Sequence, residues 1–111
     1  MINNFEEYTH ELTEQELKFV QGFVNSFKKR IGEANAVTSK QIIQAYNHKK
    51  VKLTGARVRK IINHIRMNGL VKNLIASSKG YYIENDPEKI KTYKESLIQR
   101  AEAIMAIANT Y

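Results

Sequence analysis

The chain has 111 residues, 42% of them hydrophobic and 26% charged, proportions typical of one soluble domain rather than of a disordered segment. It contains no cysteine, which excludes disulfides and thiolate chemistry, and no run approaches the roughly 20 consecutive apolar residues of a membrane span. The net charge is +7. The composition predicts a folded domain, and the absence of cysteine fits a reducing cytosol, so we expect a basic, cytoplasmic domain.

The first predicted helix begins at a capping box, in which Thr13 precedes Glu16 by three residues. Gly32 is its predicted end. The apolar stripe of this helix consists of Leu17, Val20, Val24, Phe27 and Ile31, broadened by Phe19 and Phe23. We expect these residues to face the core.

A second capping box, Thr38 with Gln41, predicts a short helix that ends near Asn47. Ala36 and Val37 predict a brief strand just before it. This helix is followed by a lysine-rich linker over residues 47–52.

The third predicted helix is capped by Thr54 and ends at Gly69. Its apolar residues Val58, Ile61, Ile62 and Ile65 form one stripe. The pattern then changes, and residues 70–76 and 81–83 predict a β-hairpin around a turn over residues 77–80, with Gly80 where a positive φ is needed.

A last helix of about 20 residues is predicted to begin at Asp86 and Pro87. Its apolar residues Ile90, Tyr93, Leu97, Ala101, Ile104 and Ala108 are spaced close to a heptad. The spacing predicts a homodimer with contacts through Ile90, Tyr93, Leu97, Ala101 and Ile104. The alternative is that this helix folds back on the first helix of its own chain.

Basic residues are concentrated in the middle of the chain. Residues 1–27 carry one base and five acids, residues 28–79 carry thirteen bases and one acid, and residues 80–111 carry four bases and five acids. A basic block between acidic segments is typical of a surface that binds a polyanion, and nucleic acid is the first candidate.

The order helix, short strand, helix, helix and hairpin is that of a winged helix-turn-helix. The predicted fold is mainly α, in the α+β class. A tail covers residues 1–12, the winged helix-turn-helix domain covers residues 13–85, and an added amphipathic helix covers residues 86–111.

Three segments carry a resemblance to known proteins: residues 37–40 (VTSK), residues 54–63 (TGARVRKIIN) and residues 77–83 (SSKGYYI). With them, the chain from Thr38 onward resembles small winged-helix DNA-binding proteins of bacteriophages and prophages. The resemblance implies a DNA-binding fold. Our leading hypothesis is a role in transcription regulation, or as an accessory to replication or packaging. The resemblance also implies the cytoplasm of a bacterium or of a phage-infected host.

We expect the third helix to be the recognition helix. With the apolar stripe inward, Ala56, Lys60, Asn63 and Met67 lie at the centre of the outward face of a helical wheel. Arginine can bond guanine bidentately, asparagine can bond adenine, and a small alanine allows close approach. The alternative is an ordinary solvated face, although such faces usually mix both signs of charge.

Lysines outside this helix suit phosphates better than bases, because a flexible ammonium lacks planar hydrogen-bond geometry. The alternatives for the linker and the hairpin tip are a solubilising loop and a turn without a function. The predicted contacts to double-stranded DNA are Lys40, Lys49, Lys50, Lys52, Thr54, Ala56, Arg57, Arg59, Lys60, Asn63, Arg66 and Lys79.

Two other functional classes remain open. In the first, the winged helix is a scaffold and the chain binds a host or phage protein through its last helix or its acidic N-terminus. The second is an enzyme, which the sequence disfavours because it has no Gly-rich phosphate loop and no recognisable catalytic motif. We therefore predict no catalysis, no cofactor or metal, and no small-molecule ligand.

Overall fold

The computed structural model describes residues 11–47 and 52–111. In these residues four α-helices and one antiparallel hairpin give a mixed α+β fold, as predicted. The elements are α1 (Glu14–Phe27), a 3-10 turn (Glu33–Asn35), α2 (Ser39–Asn47), α3 (Gly55–Met67), β1 (Leu74–Ser77), β2 (Gly80–Ile83) and α4 (Pro87–Ala108). No helix among them is both long and apolar enough to span a membrane.

All four helices begin at the capping residues that the sequence predicts. Thr13 and Thr38 form reciprocal capping boxes with the residue three positions later, with N···O distances of 2.8–3.2 Å. Thr54 and Asp86 each accept one backbone N–H, at 3.2 and 2.9 Å. These bonds satisfy donors that the first turn of a helix otherwise leaves unpaired.

The core lies between α1, α2, α3 and the hairpin. The predicted stripe of α3 is its centre, since Val58, Ile61, Ile62 and Ile65 are each at most 1% exposed. Around them pack Phe23, Val24, Phe27, Val37, Ile42, Leu53, Val71 and Leu74. Burial of this stripe determines which side of α3 faces the core and which side carries the polar residues.

The hairpin is joined to the segment that precedes α2. Val37 exchanges two backbone hydrogen bonds with Tyr81, at 2.8 and 3.0 Å, so the predicted brief strand is present as one antiparallel bridge. Gly80 makes this approach possible. Its φ is +118°, and a Cβ there would lie 2.5 Å from the Val37 carbonyl oxygen.

Helix α1 ends at Phe27, so the predicted end at Gly32 is wrong. Beyond Phe27 the chain pairs with β2: the Gly32 N–H donates to the Ile83 carbonyl at 2.9 Å, and the Ile83 N–H donates to the Arg30 carbonyl at 2.7 Å. Pairing with the strand replaces the last predicted turn of helix. Ile31, predicted to lie in the helical stripe, is therefore 51% exposed beside the hairpin.

Two further sequence predictions differ from the structure. The sequence predicts Leu17 in the buried stripe of α1, but Leu17 is 49% exposed, because the first turn of that helix buries the neighbouring Glu16 instead. The first hairpin strand begins at Leu74 rather than at Leu70. Asn73 has a φ of +60°, a left-handed conformation that a regular strand does not contain.

Among residues 11–47 and 52–111, helix α4 is attached to the rest of the fold through its first two turns alone. Ile90 and Tyr93 are half-buried, whereas every residue from Lys94 onward is exposed. The Tyr93 hydroxyl accepts hydrogen bonds from the Arg66 guanidinium at 2.9 Å and from the Ala76 N–H at 3.3 Å. The helix therefore does not lie along α1, as the fold-back alternative would require.

Candidate nucleic-acid interface

A long segment of the chain around α3 has no acidic residue. Residues 34–83 contain ten Lys and Arg side chains and neither Asp nor Glu. This segment includes α2, α3 and the hairpin. Any intramolecular counter-charge for its cations must come from the flanking segments.

Glu16 of α1 supplies one such counter-charge. This residue is 3% exposed, and its Oε1 atom lies 2.9 Å from Nζ of Lys60, whose side chain is 16% exposed. Its Oε2 atom lies 3.5 Å from Nε of Arg57. The carboxylate is thus shielded from water beneath two cations of α3.

The environment of Glu16 acts on its pKa in two directions. Burial raises the pKa, whereas hydrogen bonds from Lys60 and from the Thr13 backbone N–H lower it, and the net pKa is below the usual 4.5. Glu16 is therefore ionised at neutral pH. It compensates positive charge on the helix that the sequence predicts to contact DNA.

Lys60 consequently lies in a different environment from the one the helical wheel predicts. The wheel puts it at the centre of a solvent-facing surface, but its ammonium group is directed at α1. Arg57 is held in the same region, since its guanidinium also donates to the Lys52 carbonyl at 3.0 Å and to Gln15 at 3.1 Å. A helical wheel shows only how side chains are arranged around one helix axis. It contains no information about contacts with a neighbouring helix such as α1.

The rest of the polar face of α3 forms a narrow surface, which we call the α3 strip. Ala56 and Met67 are exposed, and Arg59 and Asn63 are half-exposed. One edge of the strip is the first turn of α1, reached by Lys60, and the other is the start of α4, reached by Arg66. The strip extends along about 16 Å of helix, at 1.5 Å per residue. The major groove of B-DNA is wide enough to admit an α-helix.

The other predicted contact residues are distributed around the α3 strip. Lys40 at the start of α2 and Lys52 before α3 are exposed, and Thr54 is the N-cap of α3. Lys79, in the two-residue loop of the hairpin, lies 3.2 Å from Glu33, and both side chains are more than half exposed. Such an exposed ion pair is worth about 0–1 kcal/mol and exchanges readily. Lys49 and Lys50 lie outside the described residues.

Arg66 and the predicted dimer residues divide into two groups. Arg66 is half-buried and bonded to Tyr93, and Tyr93 and Ile90 contact their own chain. Leu97 and Ile104 are 38% and 56% exposed, and Ala101 is also exposed. The first group attaches α4 to the fold, and the second forms a surface.

The sequence predicts Glu16 as a capping residue in the acidic N-terminal segment and Tyr93 as a dimer contact. The signal for each second role is absent from the local sequence, because the Glu16–Lys60 pair spans 44 residues and the Tyr93–Arg66 pair spans 27. Neither separation corresponds to a helical or strand repeat.

Within residues 11–47 and 52–111, no group of three or more His, Asp or Glu side chains is arranged to hold a metal ion. Comparison with protein-family models, with curated proteins and with solved structures finds no match to this chain.

Proposed function

We propose that this protein is a non-enzymatic, double-stranded DNA-binding protein of the winged helix-turn-helix class. It acts in transcription regulation, or as an accessory to replication or packaging. The observation that carries the proposal is the run of fifty residues without an acid, which contains an exposed helical strip bearing Arg59 and Asn63. A surface of one sign of charge is suited to a polyanion.

The arrangement of the elements supports the winged-helix part of the proposal. Three helices are followed by a hairpin, and the segment before α2 bridges to β2 through Val37 and Tyr81. In the winged helix-turn-helix arrangement the third helix enters the major groove and the hairpin lies beside it. Here α3 and the hairpin tip are the corresponding elements, and both lie in the acid-free segment.

The proposed contacts divide by chemistry. Arg59 and Asn63 of the α3 strip have the planar donors and acceptors that read base edges, and Ala56 leaves room for close approach. Lys40 and Lys52 bind phosphates, and Lys79 exchanges its exposed partner Glu33 for a phosphate. One such module binds DNA without specificity at a Kd of about 10⁻⁴–10⁻⁶ M at physiological salt.

The test is a charge reversal that changes neither a core residue nor Glu16, Lys60 or Arg57. Lys40→Glu combined with Lys52→Glu removes two exposed lysines of the basic segment. The matched control is Lys89→Glu combined with Lys91→Glu, which makes the same change in net charge at two exposed positions of α4. Lys60→Glu is unsuitable, because it would bring two carboxylates together and destabilise the fold.

The measurement is fluorescence anisotropy of a labelled mixed-sequence duplex at several salt concentrations. We expect the first variant to bind about tenfold or more weakly, with the slope of log K against log salt reduced by about 2. The control variant keeps the slope of the wild type. Absence of wild-type binding at low salt, about 50 mM, would refute the proposal. Equal losses in both variants would refute the assigned surface.

A further inference from the structure

The distal half of α4, residues 94–108, is a helix without a partner in the described part of the chain. Its large apolar side chains are mostly open to solvent: Leu97, Ile98, Ile104, Met105 and Ile107 are 38–61% exposed. In water an isolated helix of about 15 residues is marginally stable, and packing of an apolar face usually supplies the missing stability. This segment has such a face and nothing described covers it.

The charge of the segment indicates what kind of molecule covers it. Residues 94–108 contain two bases, Lys94 and Arg100, and two acids, Glu95 and Glu102. Their net charge is zero in a chain whose net charge is +7. A second copy of this chain can approach here without charge repulsion, whereas the basic segment around α3 would repel it.

The order of side-chain sizes along the face is complementary to itself. Leu97, Ala101, Ile104 and Ala108 follow one another at steps of four, three and four residues, so large and small side chains alternate on one stripe. When the stripe meets a reversed copy of itself, each large side chain can lie opposite a small one. We propose that the distal half of α4 pairs with the same segment of a second copy in an antiparallel arrangement.

The alternation fixes the register of the pair. Leu97 faces Ala108 of the second copy, and Ala101 faces Ile104, so facing residue numbers add to 205. The two-fold axis then passes between positions 102 and 103. Small side chains at every second contact let the helix axes approach toward the short end of the usual 8–10 Å range.

The residues beside the stripe fit the same register. Ile98 on one side lies near Met105 of the second copy, and both are largely exposed in the single chain. On the other side Arg100 lies near Ile107, which its aliphatic stem can cover while its guanidinium stays in water. In this register all five large exposed side chains of the segment lie in the interface between the two copies.

The first test compares two alanine substitutions in the full chain. Ala101 lies in the stripe and Ala106 on the opposite side of the helix, and both are exposed. We expect the wild type to self-associate with a Kd on the order of micromolar in sedimentation equilibrium, as suits a small interface. Ala101→Glu weakens association about tenfold or more because it buries a charge, whereas Ala106→Glu leaves it unchanged.

The second test determines the direction of the helices. The chain has no cysteine, so single cysteines introduced by Leu97→Cys and by Ala108→Cys report only on their own positions. A disulfide needs Cα atoms about 4.4–6.8 Å apart. In the antiparallel register positions 97 and 97 are about 16 Å apart along the axis, so each variant alone stays uncrosslinked and the mixture forms a heterodimer.

Each test can overturn the proposal. A monomer at all concentrations up to about 100 μM would mean that a different protein or the residues 1–10 cover the face, and the proposal would be wrong. Crosslinking of each single variant with itself would show a parallel pair, which also contradicts it. Circular dichroism of every variant confirms that α4 is still formed. These outcomes are independent of DNA binding.

Discussion

Replacing the buried carboxylate with Glu16→Gln is expected to lower stability and to strengthen DNA binding. Glutamine keeps an oxygen that can accept the Thr13 N–H, so the helix cap survives in part. The ion pairs to Lys60 and Arg57 are lost. Lys60 is then released at the edge of the α3 strip, whereas Arg57 keeps its hydrogen bonds to the Lys52 carbonyl and to Gln15.

The contacts of Glu16 set the size of the stability change. The hydrogen bond from Lys60 is 2.9 Å long and largely shielded from water, and a charge-assisted bond of this kind contributes about 1.5–3 kcal/mol. Arg57, at 3.5 Å and one-third exposed, adds little. Because Lys60 can turn to solvent after the change, we expect a loss of about 1–3 kcal/mol, or a fall in Tm of about 4–12 °C.

The same substitution is expected to increase the affinity for DNA. Release of Lys60 adds one phosphate-binding cation, so the slope of log K against log salt steepens by about 1 and affinity at low salt rises. Glu14→Gln is the control, because Glu14 lies on the same turn of α1, is exposed, and gives the same change in net charge.

Thermal unfolding measures the change in stability, and fluorescence anisotropy of a labelled duplex measures the change in DNA affinity. We expect Glu16→Gln to have a lower Tm and a higher DNA affinity than Glu14→Gln. If Glu16→Gln matched Glu14→Gln in Tm, the ion pairs would not stabilise the fold. If the two variants bound DNA equally, the released Lys60 would not lie at the interface.

Three further predictions concern pH, the hairpin and base recognition. Since the pKa of Glu16 is lowered in the folded protein, its stabilisation is complete above the unfolded value of 4.5 and is lost as the pH falls through the folded pKa. In urea unfolding, the stabilities of the wild type and of Glu16→Gln should therefore converge as the pH is lowered below 4.5. Gly80→Ala is expected to cost about 2–4 kcal/mol in urea unfolding, because its Cβ would collide with the Val37 carbonyl. Gly69 also has a positive φ, but an added Cβ there would have no neighbour within 4 Å, so Gly69→Ala should cost only about 1 kcal/mol. Equal losses in the two variants would contradict the stabilising role of the Val37–Tyr81 bridge. Asn63→Ala should leave the salt slope unchanged while reducing discrimination between duplex sequences by about 1–3 kcal/mol, and an unchanged preference in a competition assay would exclude base readout by this residue.

Local signals in the sequence predict most of the secondary structure correctly. The four caps at Thr13, Thr38, Thr54 and Asp86 mark the helix starts because a cap is a contact between residues two or three apart. The stripe of α3 is equally local, since its four apolar residues follow the helical repeat. Such features need no knowledge of the rest of the fold.

Errors arise where distant segments compete for the same backbone or side chain. Pairing of Gly32 with Ile83 ends α1 earlier than its own pattern indicates. Glu16 removes Lys60 from the surface that the helical wheel gives it, across 44 residues of sequence. Likewise Tyr93, whose spacing suits a dimer stripe, is used to hold α4 to α3 and β1. In each case a tertiary contact decides what a regular pattern leaves open.

The most direct test of the proposed DNA interface is a titration of the isotopically labelled protein with a mixed-sequence duplex, followed by NMR of the backbone amides. At 12.8 kDa the chain is well suited to this measurement. We expect the largest chemical-shift changes at Ala56 and Asn63 of the α3 strip and near Lys79, while the amide signals of residues 94–108 stay where they are without DNA. Changes confined to residues 94–108, or no changes at low salt, would exclude α3 as the DNA-binding surface.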